Sequence, residues 1–292
     1  MDRIDAHVHL YPPEIGANPA GWAAAAGEEH WSALCARRRK DGTPVQTFPP
    51  VDELLREMDA AGIRRAVLLG WYWNRAESAT MQNRFFLECI DRHPDRLSAF
   101  ATLHPGDARR AAEEICWAKD HGFTGLGELS PHSISLPVDA PAWDEIFALA
   151  GALRMPVNLH AADPLARSYR GAIATPRTYF VEAARRHPQT TFVLAHWGGG
   201  LAFEESPRGL ANVWFDTAAS PLMYGPEVWR RAAEGAGLER VIFGSDFPLR
   251  LYPRAEAGSG WGNFVREGES ALKSAEVSAV FRENVRRLLR LH

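Results

Sequence analysis

Eight short runs rich in β-branched and apolar residues, each followed by a helical pattern, constrain this chain more than any other feature of its sequence. The runs are Arg3–Leu10, Arg65–Tyr72, Leu97–His104, Thr124–Leu129, Pro156–Ala161, Thr191–Trp197, Asn212–Thr217 and Arg240–Phe247. Helical periodicity separates them at Val51–Ala61, Ala79–His93, Ala108–His121, Trp143–Leu153, Pro176–His187 and Pro226–Gly235, and closes the chain at Ser274–Leu291. His93-Pro94, His121-Gly122 and His187-Pro188 stop helices just ahead of strands. Strands joined through helices pair in parallel, and eight such units predict an α/β fold, the (β/α)8 TIM barrel of about 250 residues. An open doubly wound sheet is the competing arrangement, but no Gly-rich phosphate turn follows the first run. The 292 residues are therefore read as one domain, 1–292. The excess length falls in a long insertion after strand 1 (Tyr11–Pro50) and a long loop after strand 8 (Leu249–Gly268). Both follow strand C-termini, the face on which barrel enzymes assemble their sites.

Charge narrows the partners. Lys+Arg number 33 against 36 Asp+Glu, a net charge of −3, so there is no basic field to hold nucleic acid. No 18-residue apolar run is present to span a membrane, and the N-terminus lacks the basic start and apolar core of a signal peptide. Cys35, Cys89 and Cys116 are scattered, with no CxxC pair, which fits a reducing, cytoplasmic setting. Ten tryptophans are compatible with a homodimer.

Chemistry concentrates at the strand ends. Asp5, His7 and His9 alternate in the first run, so their side chains share one face, and two imidazoles at this spacing can converge on one ion. The fourth run ends in Glu128, the fifth in His160, the sixth in His196 and the eighth in Asp246. By alternation, Glu128 shares a face with Leu126 and Thr124, His160 with Asn158, His196 with Leu194 and Phe192, and Asp246 with Gly244 and Ile242. Ionisable groups aimed into a packed barrel are costly to leave unpaired, and a divalent cation removes that cost. Imidazoles with carboxylates suit Zn²⁺, with Mn²⁺ or Fe²⁺ as alternatives. Asp5, one step deeper, reads as a hydrogen-bond partner of this set, not a ligand.

IDAHVHL, GLGEL, NLH, LAHWGG, FGSDFP and the closing ENVRRLL resemble the amidohydrolase superfamily over essentially the whole chain. Within it the chain is similar to the amidohydrolase-related group, which includes aminocarboxymuconate-semialdehyde decarboxylase-like enzymes. The resemblance implies that His7, His9, His160 and Asp246 ligate a metal, with Asp246 also moving a proton. It gives His196 either a second metal or a water-orienting role. Glu128 resembles the carboxylate that bridges two metals in binuclear members, so one or two ions are implied. That bridge favours hydrolysis of an ester, lactone or amide by metal-bound hydroxide, with metal-dependent non-oxidative decarboxylation as the alternative.

The loops on this face are aromatic and cationic. Trp73, Arg75, Tyr169 and Arg250 are the candidate substrate-binding residues among them. Arginine grips carboxylates and aromatic rings supply apolar area, so a small carboxylated molecule is the expected substrate. His30, by position, reads as structural or exposed, while His132, four residues after Glu128, is a candidate for the pocket lining.

Overall fold

A computed structural model describes residues 2–134, 136–163, 171 and 173–291. Among these residues eight strands pair in parallel in sequence order. They are β1 (Arg3–Val8), β2 (Ile63–Leu69), β3 (Leu97–Ala101), β4 (Gly125–Leu129), β5 (Val157–Leu159), β6 (Phe192–Leu194), β7 (Val213–Asp216) and β8 (Val241–Ile242). The chain beyond β8 returns to β1 and closes the ring. Ala6 N–H donates to the Phe243 carbonyl (2.8 Å), Asp246 N–H to that of His7 (2.9 Å) and His9 N–H to that of Phe247 (2.7 Å). The predicted barrel is the observed one.

Helices lie between the strands close to their predicted limits. Val51–Ala61 is reproduced at both ends, and Ala108–Asp120 and Arg177–Arg186 differ by a residue or so. A layer of Phe86, Ile115, Phe147, Phe180 and Trp229 covers the outward strand residues. Phe192 of β6, for example, meets Phe147 with ring centroids 5.1 Å apart. Val67, Leu69, Phe100, Val193, Trp214 and Ile242 form a separate buried cluster on the opposite strand face. Eight of the ten tryptophans are buried within this single chain, so their excess is accounted for without a partner. No helix among the described residues is long and apolar enough to cross a membrane.

Strand lengths depart from the prediction in one direction. The sixth run was expected to continue to Trp197 and the eighth to Phe247, yet β6 and β8 end at Leu194 and Ile242. Residues 195–197 turn out of the β6 ladder, whereas residues 243–247 go on bonding to β1 past the short β7–β8 pairing.

The insertion after β1 is more ordered than a connection. It carries three short helices, Pro13–Ala17, Pro19–Ala26 and Glu29–Cys35. The middle one is capped by Asn18, which accepts from the Gly21 N–H (3.2 Å), and Pro19 occupies the first turn. Helices of this length carry too few turns for a periodic signal. Their aromatic side chains join the end of β2 in one cluster of Tyr11, Trp31, Trp71, Tyr72 and Trp73. A polar bond pins the insertion as well. The buried Glu28 carboxylate accepts from the backbone N–H groups of Asn74 (2.9 Å) and Arg75 (3.0 Å), at the start of helix Ala76–Arg92. Glu28→Ala leaves both donors without an acceptor and is expected to cost about 1–3 kcal/mol. Urea unfolding with limited proteolysis checks this, and cleavage should begin within residues 11–50.

Candidate metal centre

Six side chains expected at the strand ends converge at the C-terminal mouth of the barrel. Among the described residues they form two sets, His7, His9 and Asp246, and Glu128, His160 and His196, whose ligand atoms lie within 4.8 Å of one another in each set. The sets adjoin. His9 Nε2 stands 3.4 Å from Asp246 Oδ1 and 3.7 Å from Glu128 Oε2, while His196 Nδ1 stands 3.9 Å from Asp246 Oδ2. The His7 side chain is fully buried, while those of Asp246 and His196 each keep 9% exposure and that of His160 12%, so the mouth opens over these three.

Alternation along a strand brings only some of these groups inward. His160 follows Asn158, and Asn158 reaches the interior, where its amide donates to Asp216 (2.9 Å). For His196 and Glu128 the expected shared face is not what places them. Phe192 faces the helices, and Leu194 shares its parity. His196 reaches the site because the chain turns left-handed at His196 (φ 55°), Trp197 (φ 58°) and Gly198 (φ 62°). Leu126 likewise belongs to the outer layer, and the β4–β5 register shifts between Leu126 and Leu129. Gly127 sits in that irregularity at φ 134°, where a Cβ would lie 2.8 Å from the Asn158 carbonyl oxygen. Asp246 is also left-handed, at φ 68°. Such conformations cost about 1–3 kcal/mol each for non-glycine residues and persist where surrounding structure over-determines them.

The imidazoles are fixed by their outer nitrogens. His7 Nδ1–H donates to Asp216 Oδ2 (2.9 Å), His9 Nδ1–H to the Leu69 carbonyl (3.0 Å) and His196 Nδ1–H to the Ala218 carbonyl (3.0 Å). Each therefore presents Nε2 to the centre. His7 Nε2 and His9 Nε2 lie 3.1 Å apart, a contact that needs a positive centre between two lone pairs, either a proton or a metal ion. Burial works against a charged His7, but Asp216, then Glu128 and Asp246, outweigh it and raise its pKa to about 10. Burial and the neighbouring His7 lower that of His9. Glu128 is held well below the usual carboxylate range against its burial, chiefly by His160, whose Nδ1 lies 2.9 Å from Oε1. This donor set of imidazole nitrogens and carboxylate oxygens fits a divalent transition metal. His7, His9 and Asp246 would hold one ion, and Glu128, His160 and His196 a second or its neighbouring groups.

Asp216 was missed by the sequence reading. It ends β7, buried, as the other ligand candidates end their runs, and that position was the available signal. Asp5 behaves as expected of a hydrogen-bond partner: its Oδ1 accepts from the N–H groups of His7 (2.9 Å) and Ser245 (3.1 Å). Burial raises its pKa to about 7. His30 is half-buried, its ring leaning on Tyr72, which in turn packs against His160 (centroids 5.2 Å).

The loop candidates separate. Trp73 is fully buried in the insertion's aromatic cluster, its indole N–H bonded to Gln82 (2.7 Å). It supports the wall and offers a substrate no surface, a correction to the expectation. Arg75 is exposed beside Gly27 at the insertion's edge. Arg250 is half-buried, tied by its backbone to Val45 (3.0 Å). Tyr169 lies outside the described residues.

Comparison with known proteins bears on the reaction. γ-Resorcylate decarboxylase of Rhizobium sp. (strain MTP-10005) is 26% identical, over 82% of this chain and 87% of that protein. The crystal structure of 5-carboxyvanillate decarboxylase from Novosphingobium aromaticivorans, with manganese and 4-hydroxy-3-methoxy-5-nitrobenzoic acid, superposes with a TM-score of 0.74 at 15% identity, covering 99% of this chain and 96% of that one. Dihydroxybenzoic acid decarboxylase from Polaromonas sp. JS666, with manganese and 2-nitroresorcinol, gives 0.67 at 19% identity, covering 99% and 97%. The expectation of hydrolysis is thereby overturned, since these relatives are decarboxylases, and zinc and a lactone substrate gain no support. The hydrolytic reading leaned on Glu128 as a bridge, and a carboxylate at the end of β4 reports charge at the centre, not the bond that is broken. A family model for amidohydrolases matches residues 4–291, and the chain belongs to that family.

Proposed function

We propose that this protein is a metal-dependent, non-oxidative decarboxylase of a small hydroxylated aromatic acid, with Mn²⁺ as the working ion. The observation that carries the reading is the decarboxylase relative aligned across 82% of the chain, combined with a buried set of four histidines and two carboxylates at the barrel mouth. Manganese is preferred because two decarboxylases of the same fold hold it, and the two carboxylates of the set suit it beside the imidazoles. The ion, when bound, supplies a positive charge that holds the substrate's oxygens and steadies the negative charge of the transition state.

The chain's own groups then have three tasks. His7, His9 and Asp246, joined by His160 and Glu128 of the adjoining set, would hold the ion. Removing CO₂ from an aromatic ring breaks the bond between the ring and its carboxylate and places a proton on the same ring carbon. A buried acid must deliver that proton: Asp246 is the group positioned to hold and pass it, and His196, its Nδ1–H held by the Ala218 carbonyl, turns Nε2 to the centre beside it. Trp71 and Tyr72, stacked at 4.2 Å, wall the site beside His9 and His160 and exclude water from it. Arg250 is the cation retained from the loop candidates for a substrate carboxylate.

Protein stripped with a chelator and reloaded with Mn²⁺ should release CO₂ from 2,6-dihydroxybenzoate or 5-carboxyvanillate, and the stripped protein should not. Absence of CO₂ release across a panel of hydroxylated aromatic acids, with the metal bound, would refute the reading. Asp246→Asn should lower kcat at least about 10²-fold, the scale of general acid–base catalysis. Stopped-flow decay of substrate absorbance at saturating Mn²⁺ separates this loss from weaker metal binding.

A further inference from the structure

Asp216 touches neither the mouth of the site nor solvent, yet both sets of metal-competent residues depend on it. Its Oδ2 accepts from His7 Nδ1 and from the Asn158 amide, each at 2.9 Å. Its Oδ1 accepts from the backbone N–H groups of His196 and Ala218, each at 3.0 Å. The first oxygen sets which nitrogen His7 presents to the centre. The second holds the start of the left-handed turn (His196 φ 55°) that carries the His196 ring inward from a strand whose side chains face the helices. All four neighbours are donors, two on each oxygen, and the residue is fully buried, so water does not substitute for either oxygen.

We propose that Asp216 is a positioning residue that sets His7 and His196 jointly, so that the two halves of the centre form or fail together. The argument is one of donor and acceptor counting. An asparagine at this position keeps the shape but presents an oxygen on one side and an NH₂ on the other. Whichever way it turns, two donors face its NH₂, the rigid side chain must shift away from them, and that shift draws its oxygen off the other pair, so His7 and the His196 turn are disturbed together. A residue serving only one half would not show this property, and neither would one that merely filled space.

The test uses the whole protein in two measurements. In metal-free protein with ¹⁵N-labelled histidine, the ring resonances of both His7 and His196 should move in Asp216→Asn; movement of one with the other unchanged overturns the proposal. Mn²⁺ titration followed by electron paramagnetic resonance should show the dissociation constant raised at least about ten-fold, the usual cost of losing a group that orients a ligand. The absorption bands of the Co²⁺-loaded protein should shift with it. Wild-type affinity with an unchanged Co²⁺ spectrum also overturns it. Should Asp216→Asn fail to fold, His7→Gln reads the same link from the other end. Its loss from Oδ2 should move the Ala218 amide resonance on Oδ1, and an unmoved Ala218 amide refutes the coupling. The metal measurement rests on the manganese reading above, whereas the resonances do not. A wild-type protein that bound no Mn²⁺ would count against that reading, while the histidine spectra still decide for or against Asp216.

Discussion

Two imidazole nitrogens held 3.1 Å apart, each with its outer N–H already committed, are the constraint around which this molecule is arranged. Lone pairs at that separation repel unless a positive centre lies between them. Everything near the mouth of the barrel supplies or balances that centre: Asp246 and Glu128 beside it, and Asp216 behind His7. Burial makes the arrangement demanding, because an ionised group without a partner in this environment costs several kcal/mol. The closed barrel meets the demand by bringing strand ends from all around the ring to one place. Neither a single helix nor a single loop carries the set, and the ligands span residues 7–246.

The same demand explains where regular structure stops. A strand ladder satisfies backbone groups at every residue, and its end is where side chains become free to be re-aimed. His196 leaves its ladder in a left-handed conformation, Asp246 adopts one while still bonded to β1, and Gly127 supplies the irregularity beneath Glu128. The backbone energy given up there is recovered in specific bonds: Asp216 to the His196 N–H, and Asp246 N–H to the His7 carbonyl. Strain and coordination are thus coupled, and a change that relaxed the turn at His196 would also withdraw its ring from the centre.

How legible this was in the sequence depended on the kind of signal. The order of strands and helices, and the inward parity of His160, follow from periodicities of 2 and 3.6 that a chain displays directly, whereas His7 and His9 share a face with each other only beyond a register shift between Asp5 and Val8. His196 and Glu128 were identified correctly as strand-end groups, but for the wrong geometric reason. Parity with Leu194 and Leu126 would have aimed them at the helices, and the turns that re-aim them are properties of φ, which residue type only permits. Asp216 escaped because a lone aspartate at a strand end resembles an ordinary turn residue, and its four donors come from β1, β5 and the segments after β6 and β7. Trp73 misled because an aromatic residue in a site-facing loop reads alike whether it lines a pocket or supports one. The Gln82 bond that decides the matter is nine positions away in sequence and on a different element.

The reaction was the least legible level, and the reason is chemical. A divalent ion in a nest of imidazoles and carboxylates can activate water or hold a substrate's oxygens, and the same residues serve both uses. What separates hydrolysis from decarboxylation is whether a water molecule or a ring carbon lies beside the proton carrier. That is decided by the shape and dryness of the cavity, not by the ligands. Here the wall next to His9 and His160 is the stacked pair Trp71 and Tyr72, backed by the fully buried Trp31 and Trp73. The insertion builds this wall and is pinned by Glu28 to the helix that follows β2. A rigid aromatic wall against the centre favours a flat ring over a water-filled cleft. The part of the chain that first appeared as surplus length therefore bears on the proposed reaction at the point where the six strand-end ligands do not discriminate.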